Sequence, residues 1–394
     1  MGRLAFADKH QNRAAWRPPV NLLSTRRDFL RLSSALSFAA AITPVAPVFA
    51  QSTRDSGAEA LYRKAFVLDC NTLANIGTGI GDGDVAQLRL LRESGVTAVK
   101  ASITAPGVKF EETVAEIAAA QSLIERHPET FIKLTRFEDL DRARREHKMA
   151  VIFSFENATM LEDKVDRIDL FRQLGVRVMQ LSYNHASPFG SGCLDGEDGG
   201  LTDLGRQAVA RMNALGVALD LSHSNTRTTA DGIAASTRPP IFSHSACRAV
   251  YRHPRSKEDR EMKALADKGG VMGIFMLPYL TEESRQPMLD DYIQHMVHAL
   301  DVCGEEHVGI GSDVSFFTVD DETKRAMAEE IKQRQAAGIS APGENRMPYI
   351  PDLDTPRKLE LVAGALLKRC YGSRVVENAL GLNFRRVFKE IWAV

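Results

Sequence analysis

Cysteine is scarce in this chain and never paired: Cys70, Cys193, Cys247, Cys303 and Cys370 stand far apart among 394 residues, with no Cys-x-x-Cys. That spacing excludes a disulfide-stapled scaffold and a zinc ribbon. No apolar stretch after residue 50 approaches the ~20 residues a membrane helix needs, so a stable membrane span is not expected. No charge of one sign dominates either. The formal net charge is −1, and residues 1–50 carry seven Lys/Arg against two Asp/Glu. The remaining 344 residues therefore hold 43 basic and 49 acidic side chains, and a mildly acidic body gives no electrostatic reason to expect nucleic acid. A nucleotide-phosphate loop is weakly indicated at best, because Gly77-Thr78-Gly79 and Gly81-Asp82-Gly83 do not lead into a clear helix. With 44% hydrophobic and 26% charged residues, what is left is a globular chain with a large core.

The basic N-terminus has its own explanation. Thr25-Arg26-Arg27-Asp28-Phe29-Leu30-Arg31 precedes a short, weakly apolar run from Leu32 to Ile42, and Val48-Phe49-Ala50 ends in a small residue. This is the order of a cleaved export signal, and the arginine pair followed by Phe-Leu resembles a twin-arginine signal, which is read by a receptor and serves proteins exported already folded. Residues 1–50 are thus expected to be the leader and 51–394 one mature domain in the periplasm. Residue 51 is Gln, which gives no lipoprotein anchor.

Beyond the leader, short apolar runs rich in β-branched residues recur at Phe66–Asp69, Val96–Ser102, Ala150–Phe155, Val176–Leu181, Val217–Leu221, Pro240–Ser243, Val271–Phe275 and His307–Gly311. Helix-like stretches such as Glu112–Arg126, Leu201–Leu215 and Ser256–Lys268 lie between most of them, with apolar residues three and four apart. Eight strands alternating with helices predict a (β/α)8 barrel, with a doubly wound open sheet as the alternative.

The polar residues that end these runs carry the chemistry. Glu156 closes one run, His223 and His244 each close another as the second half of a Ser-His pair, and Asp313 follows His307-Val308-Gly309-Ile310-Gly311-Ser312. In a parallel barrel all C-terminal strand ends open on one face, so these four side chains converge. Two imidazoles and a carboxylate are a fitting set for Zn²⁺, and a fourth position left to water would make the site catalytic.

These segments, together with His253-Pro254-Arg255, Gly269-Gly270-Val271-Met272-Gly273, Leu201-Thr202-Asp203-Leu204-Gly205-Arg206 and the closing Gly381-Leu382-Asn383-Phe384-Arg385-Arg386-Val387, resemble the membrane (renal) dipeptidases over residues 66–390. The resemblance implies a metallo-amidohydrolase barrel in which Glu156 bridges two zinc ions and His223 and His244 complete the second. It implies that Arg255 holds the substrate's C-terminal carboxylate and that Asp313 handles the proton as water attacks and the amine leaves. The position of a histidine that stabilises the tetrahedral oxygen is taken here by Tyr183, with His185 as a loop alternative.

The first strand departs from the family, whose pattern there is Asp-Gly-His-Asn-Asp. This chain reads Asp69-Cys70-Asn71-Thr72-Leu73, so both ligands of the first zinc are missing. Asn71 offers only a weak carbonyl oxygen, and Cys70 is a thiol that strand alternation turns to the opposite side. One tightly held Zn²⁺ is therefore expected. The functional reading is a zinc-dependent dipeptidase, with two alternatives: an enzyme that tailors a small exported peptide-derived metabolite without hydrolysis, or a binding protein on an inactivated barrel, against which Asp313 and Arg255 argue. Expected partners are a dipeptide-like substrate and the twin-arginine export machinery, and homodimerisation is left open. The charged run from Asp320 to Gln335 reads as a solvated helix, with a lid on the active face as the alternative because residues 314–350 form a long insertion there, and His295 and His298 read as packing or surface residues.

Overall fold

A computed structural model describes residues 56–72, 85–196, 199–282, 284–338 and 340–393. The leader, its boundary at residue 50, and Leu73 lie outside the described residues.

Ten strands follow in chain order: β1 (Leu68–Asp69), β2 (Ala98–Ser102), β3 (Phe131–Lys133), β4 (Met149–Phe155), β5 (Val176–Gln180), β6 (Ala218–Asp220), β7 (Ile241–Cys247), β8 (Ser256–Lys257), β9 (Val271–Ile274) and β10 (Val308–Ile310). Eight of them pair in parallel in the order β1-β2-β4-β5-β6-β7-β9-β10, and all eight correspond to the predicted runs. The ends of this path meet. Cys70 N–H donates to the Ile310 carbonyl at 2.8 Å and Asp313 N–H to the Asn71 carbonyl at 2.7 Å, so the eight strands form a nearly closed α/β barrel. The open sheet is thereby excluded. β3 and β8 were not foreseen: three and two residues long, they lie beside the start of β4 and the end of β7, too short to show a period.

The strands read as continuous apolar runs because both faces are covered. Val99, Val151, Phe153, Met179 and Phe242 pack outward in one core cluster with Ile117, Phe171, Val209 and Met262 from surrounding helices. Leu68, Cys70, Ala98, Ile152, Val178, Ala218, Ile241 and Val271 form a second cluster inside the barrel. The helix Asn383–Trp392 closes that interior from below. Its buried Phe384, Val387, Phe388 and Ile391 recur at three- and four-residue spacing and join the same cluster.

Two glycines set how closely the strands bearing the site approach. A Cβ on Gly311 would lie 1.8 Å from the Ser243 carbonyl oxygen, and one on Gly273 would lie 2.1 Å from it. Only glycine lets β9 and β10 pass this near the backbone that carries His244.

Candidate metal centre

Two buried aspartates shape the strand ends before any functional group is placed. Asp220 accepts from the backbone N–H of Ser222 and Ser243, each at 3.1 Å, and from both serine hydroxyls. This fixes the residues on which His223 and His244 follow. Asp69 does the same across the barrel seam, accepting from Ser312 N–H at 2.8 Å and from its hydroxyl, and so fixes the approach to Asp313. Asp313 itself has φ 58°, a left-handed backbone uncommon outside glycine and tolerated best by Asn and Asp.

The two imidazoles are oriented through their far nitrogens. His223 Nδ1 lies 2.8 Å from Asn184 Oδ1, an acceptor, so Nδ1 carries the proton. His244 Nδ1 lies 2.8 Å from Ser243 Oγ, whose own proton goes to Asp220, so it too is a donor. Both Nε2 atoms are consequently lone pairs, and they face each other at 2.9 Å. Neither can donate to the other. Burial, and then the charge of Arg255, hold both rings well below the ordinary histidine pKa, which keeps them neutral. Glu156 Oε2 lies 4.0 Å from His223 Nε2. The ligand atoms of Glu156, His223 and His244 all fall within 4.8 Å of one another, a grouping that could hold a cation. Two facing lone pairs beside a carboxylate oxygen fit a divalent transition metal, and imidazole with carboxylate is within the donor range of zinc.

The remaining predicted residues divide. Asp313 is at the centre: burial first, and then the neighbouring charge of Glu156, raise its carboxyl well above the usual carboxylate range. Tyr183 stacks on His223 with ring centroids 4.1 Å apart, and burial pushes its phenol up to about 12. Arg255 is 1% exposed; its Nη1 donates to the Ser222 carbonyl at 2.7 Å, while Nε and Nη2 are buried without a partner among the described residues. His185 is not part of the site, since it is half exposed and faces Asp195 at 3.3 Å. His295 is a buried packing residue that donates to or accepts from backbone groups of Leu280 and Cys247.

The two weaker ligand candidates occupy different surroundings. Cys70 belongs to the apolar cluster inside the barrel, where burial raises its thiol well above the ordinary range, and it lies outside the metal grouping. Asn71 does reach the site, but as a donor. Its Nδ2 gives hydrogen bonds to Glu156 Oε1 at 3.0 Å and Asp313 Oδ1 at 2.8 Å, while its Oδ1 accepts from Lys100 Nζ at 2.6 Å. An ammonium only donates, so the amide oxygen must face Lys100 and the amide nitrogen the carboxyl groups.

Several residues of the site were not foreseen. Lys100 sits inside the apolar sequence Ala98-Val99-Lys100-Ala101-Ser102, and a lysine within a strand buried on both faces was the available signal. Asn184 and Ser243 leave no such mark, because their partners are far away in sequence or shared. The insertion also contributes: the helix Asp321–Ala336 brings Arg334 to Tyr183 Oη at 3.5 Å and to Glu344 at 2.9 Å, and the Pro342 carbonyl meets His253 Nε2 at 2.6 Å. The helix Asp321–Ala336 buries none of its residues, as a solvated helix would, while Arg334 and Pro342 reach the edge of the site.

Comparison with known proteins follows the same lines. The family model for membrane dipeptidases, peptidase family M19, matches residues 69–333. Dipeptidase verJ of Clonostachys rogersoniana is 28% identical over 291 residues, 71% of this chain and 65% of that protein. Dipeptidase tcpJ of Claviceps purpurea is 25% identical over 285 residues, 72% of this chain and 60% of that protein. The chain thus spans less than two thirds of the length of these two curated relatives. Among solved structures, an amidohydrolase from Pseudomonas aeruginosa superposes with a TM-score of 0.74 at 28% identity, covering 86% of this chain and 99% of that one. A metallo peptidase from Rhodobacter sphaeroides, solved with a phosphinate mimic of the dipeptide L-Ala-D-Ala, shares the fold with a TM-score of 0.68 at 20% identity, over 83% and 99% of the two chains.

Proposed function

The chain belongs to the membrane dipeptidase family, and from that premise we propose that it is a hydrolase of dipeptides that works with one Zn²⁺ held by Glu156, His223 and His244. The observation that carries the reading is the pairing of this three-ligand grouping with Arg255, a buried guanidinium with two unsatisfied nitrogens. A planar cation with free N–H groups is suited to a carboxylate, which a dipeptide presents at its C-terminus. Its charge lowers the pKa of both histidines, which supports the reading of a substrate carboxylate held near the ligands.

A divalent ion so bound supplies a water of lowered pKa and a Lewis acid for the peptide carbonyl. Burial, and then Glu156, raise the Asp313 carboxyl well above the usual carboxylate range, so its ionised form is basic enough to take a proton from the attacking water and, once protonated, passes that proton to the leaving amine. Tyr183 keeps its phenol protonated and is placed against His223, so it donates to the oxygen that becomes negative in the tetrahedral stage. Asn184 and Ser243 hold the imidazole rings at their far nitrogens. The tailoring alternative draws no support from the comparisons. We further propose that residues 1–50 direct the protein to the periplasm; among the described residues no helix is long and apolar enough to cross a membrane.

Purified protein assayed for zinc content and against a panel of dipeptides tests the reading. Zinc-dependent release of both amino acids is expected. Full hydrolysis after exhaustive chelation, or tight zinc binding with no turnover of any dipeptide, would refute it.

A further inference from the structure

Lys100 is entirely buried, on the inner side of β2, and its Nζ reaches Asn71 Oδ1 at 2.6 Å with Asp220 Oδ2 3.9 Å away. From Asn71 the contact continues to two carboxylates at once, Glu156 and Asp313. One ammonium therefore sets the direction of an amide that ties together a metal-ligating carboxylate and the proton carrier. Glu156 Oε1 is taken up fully by this arrangement, since it also accepts from Ser102 Oγ at 2.7 Å, and only Oε2 is turned toward the histidines.

We propose that Lys100, acting through Asn71, is a positioning residue that provides the fixed positive charge a second metal ion would otherwise bring to Glu156 and Asp313, so that the centre is built for a single ion. A buried cation is costly unless anionic groups compensate it, and here Asp220, Glu156 and Asp313 lie on its two sides. A second divalent cation would enter close to the Lys100 ammonium, and it would have to break the Asn71 bonds to reach Glu156 and Asp313. The inference rests on the metal-centre reading above and adds to it the reason for its stoichiometry.

The test is zinc stoichiometry of the intact protein, stripped of metal and titrated, read by native mass spectrometry together with elemental analysis. Wild type is expected to hold one tight equivalent. Asn71→His supplies a good ligand but leaves Lys100 in place, and it is expected to remain at one. Combining Asn71→His with Lys100→Met removes the resident cation and is expected to bring tight binding to two equivalents. Stoichiometry is a readout that a lysine of merely structural value would not move in this direction. Two tight ions in wild type or in Asn71→His, or one ion in a folded double variant, would overturn the proposal. Zero ions in wild type would defeat the metal-centre reading, and this inference with it. Should the double variant not fold, Asn71→His combined with Lys100→Gln takes its place: two tight ions sustain the proposal, and one ion in that folded protein removes it.

Discussion

Replacing Arg255 by Met separates binding from folding. In the folded protein the guanidinium makes a hydrogen bond to the Ser222 carbonyl and sits 5.7 Å from the Phe275 ring centroid, while Nε and Nη2 are buried and unsatisfied. Two buried donors without partners cost roughly 1–3 kcal/mol each. Against this, the substitution gives up about 1.5–3 kcal/mol for the charged hydrogen bond and about 0.5–2 kcal/mol for the ring contact. The two sides nearly balance, so Arg255→Met is expected to change stability by no more than about 4 kcal/mol in either direction. For a body of about 340 residues, an unfolding entropy of about 2.1 cal/mol/K per residue turns that into a Tm change within roughly 6 °C. Catalysis responds differently. Losing the cation that pairs with a buried carboxylate costs about 2–5 kcal/mol, or roughly 30- to 5,000-fold in kcat/KM for dipeptides. Thermal unfolding followed beside steady-state kinetics reads both effects. A fall in Tm beyond about 8 °C with kcat/KM within threefold of wild type would show that the guanidinium is a structural group and that the substrate carboxylate lies elsewhere.

Other expectations concern the same centre and the leader. Asp313→Asn, a substitution that tolerates the left-handed backbone, is expected to keep the zinc content and lower turnover by roughly 10²- to 10⁴-fold, whereas His244→Ala loses the metal; equal loss in both, by elemental analysis, would make Asp313 a ligand. Asn184→Ala removes the acceptor on His223 Nδ1 and is expected to weaken zinc binding by about 10- to 100-fold in competition with a chelator, an unchanged affinity being the contrary result. Phe388→Ala, beneath the barrel, should destabilise the protein by about 3–5 kcal/mol in denaturant titration while leaving the zinc stoichiometry of the folded fraction unaltered. Replacing Arg26 and Arg27 by Lys should leave the chain in the cytoplasm with its leader attached, and unchanged periplasmic recovery on cell fractionation would refute the twin-arginine reading.

The barrel was legible because its strands are covered on both faces. Runs such as Ala150–Phe155 stand out from amphipathic helices by their length and continuity, whereas β3 and β8 are held by neighbours and leave no pattern of their own. The grouping of Glu156, His223 and His244, with Asp313 joined to Glu156 through Asn71, was legible for a related reason: parallel strands impose a common end. What surrounds them was not. Whether Asn71 gives its oxygen or its nitrogen to the site depends on Lys100, 29 residues later, and the tautomer of His223 depends on Asn184, 39 residues earlier. Such choices are fixed by pairs brought together only when the barrel forms. A lysine within a strand is ordinarily read as solvent-facing, and here the compensating carboxylates that keep it inside come from β6, from the end of β4 and from the end of β10.

The junction between β1 and β10 joins the beginning of the barrel to its end, with Asp69 and Ser312 243 residues apart. The same junction assembles the chemistry, since Asn71 and Asp313 meet across it while the histidines and Glu156 lie on the continuous part of the sheet. β1 is two residues long, so few backbone bonds hold this seam. Contacts between such distant segments form late in folding and open early in partial unfolding. In rising denaturant activity should therefore be lost while most of the helices persist, with Glu156, His223 and His244 still grouped and Asp313 already displaced. Its working lifetime is then governed by the opening of one seam, and a reinforcement placed there would lengthen activity more than an equal reinforcement anywhere else in the barrel.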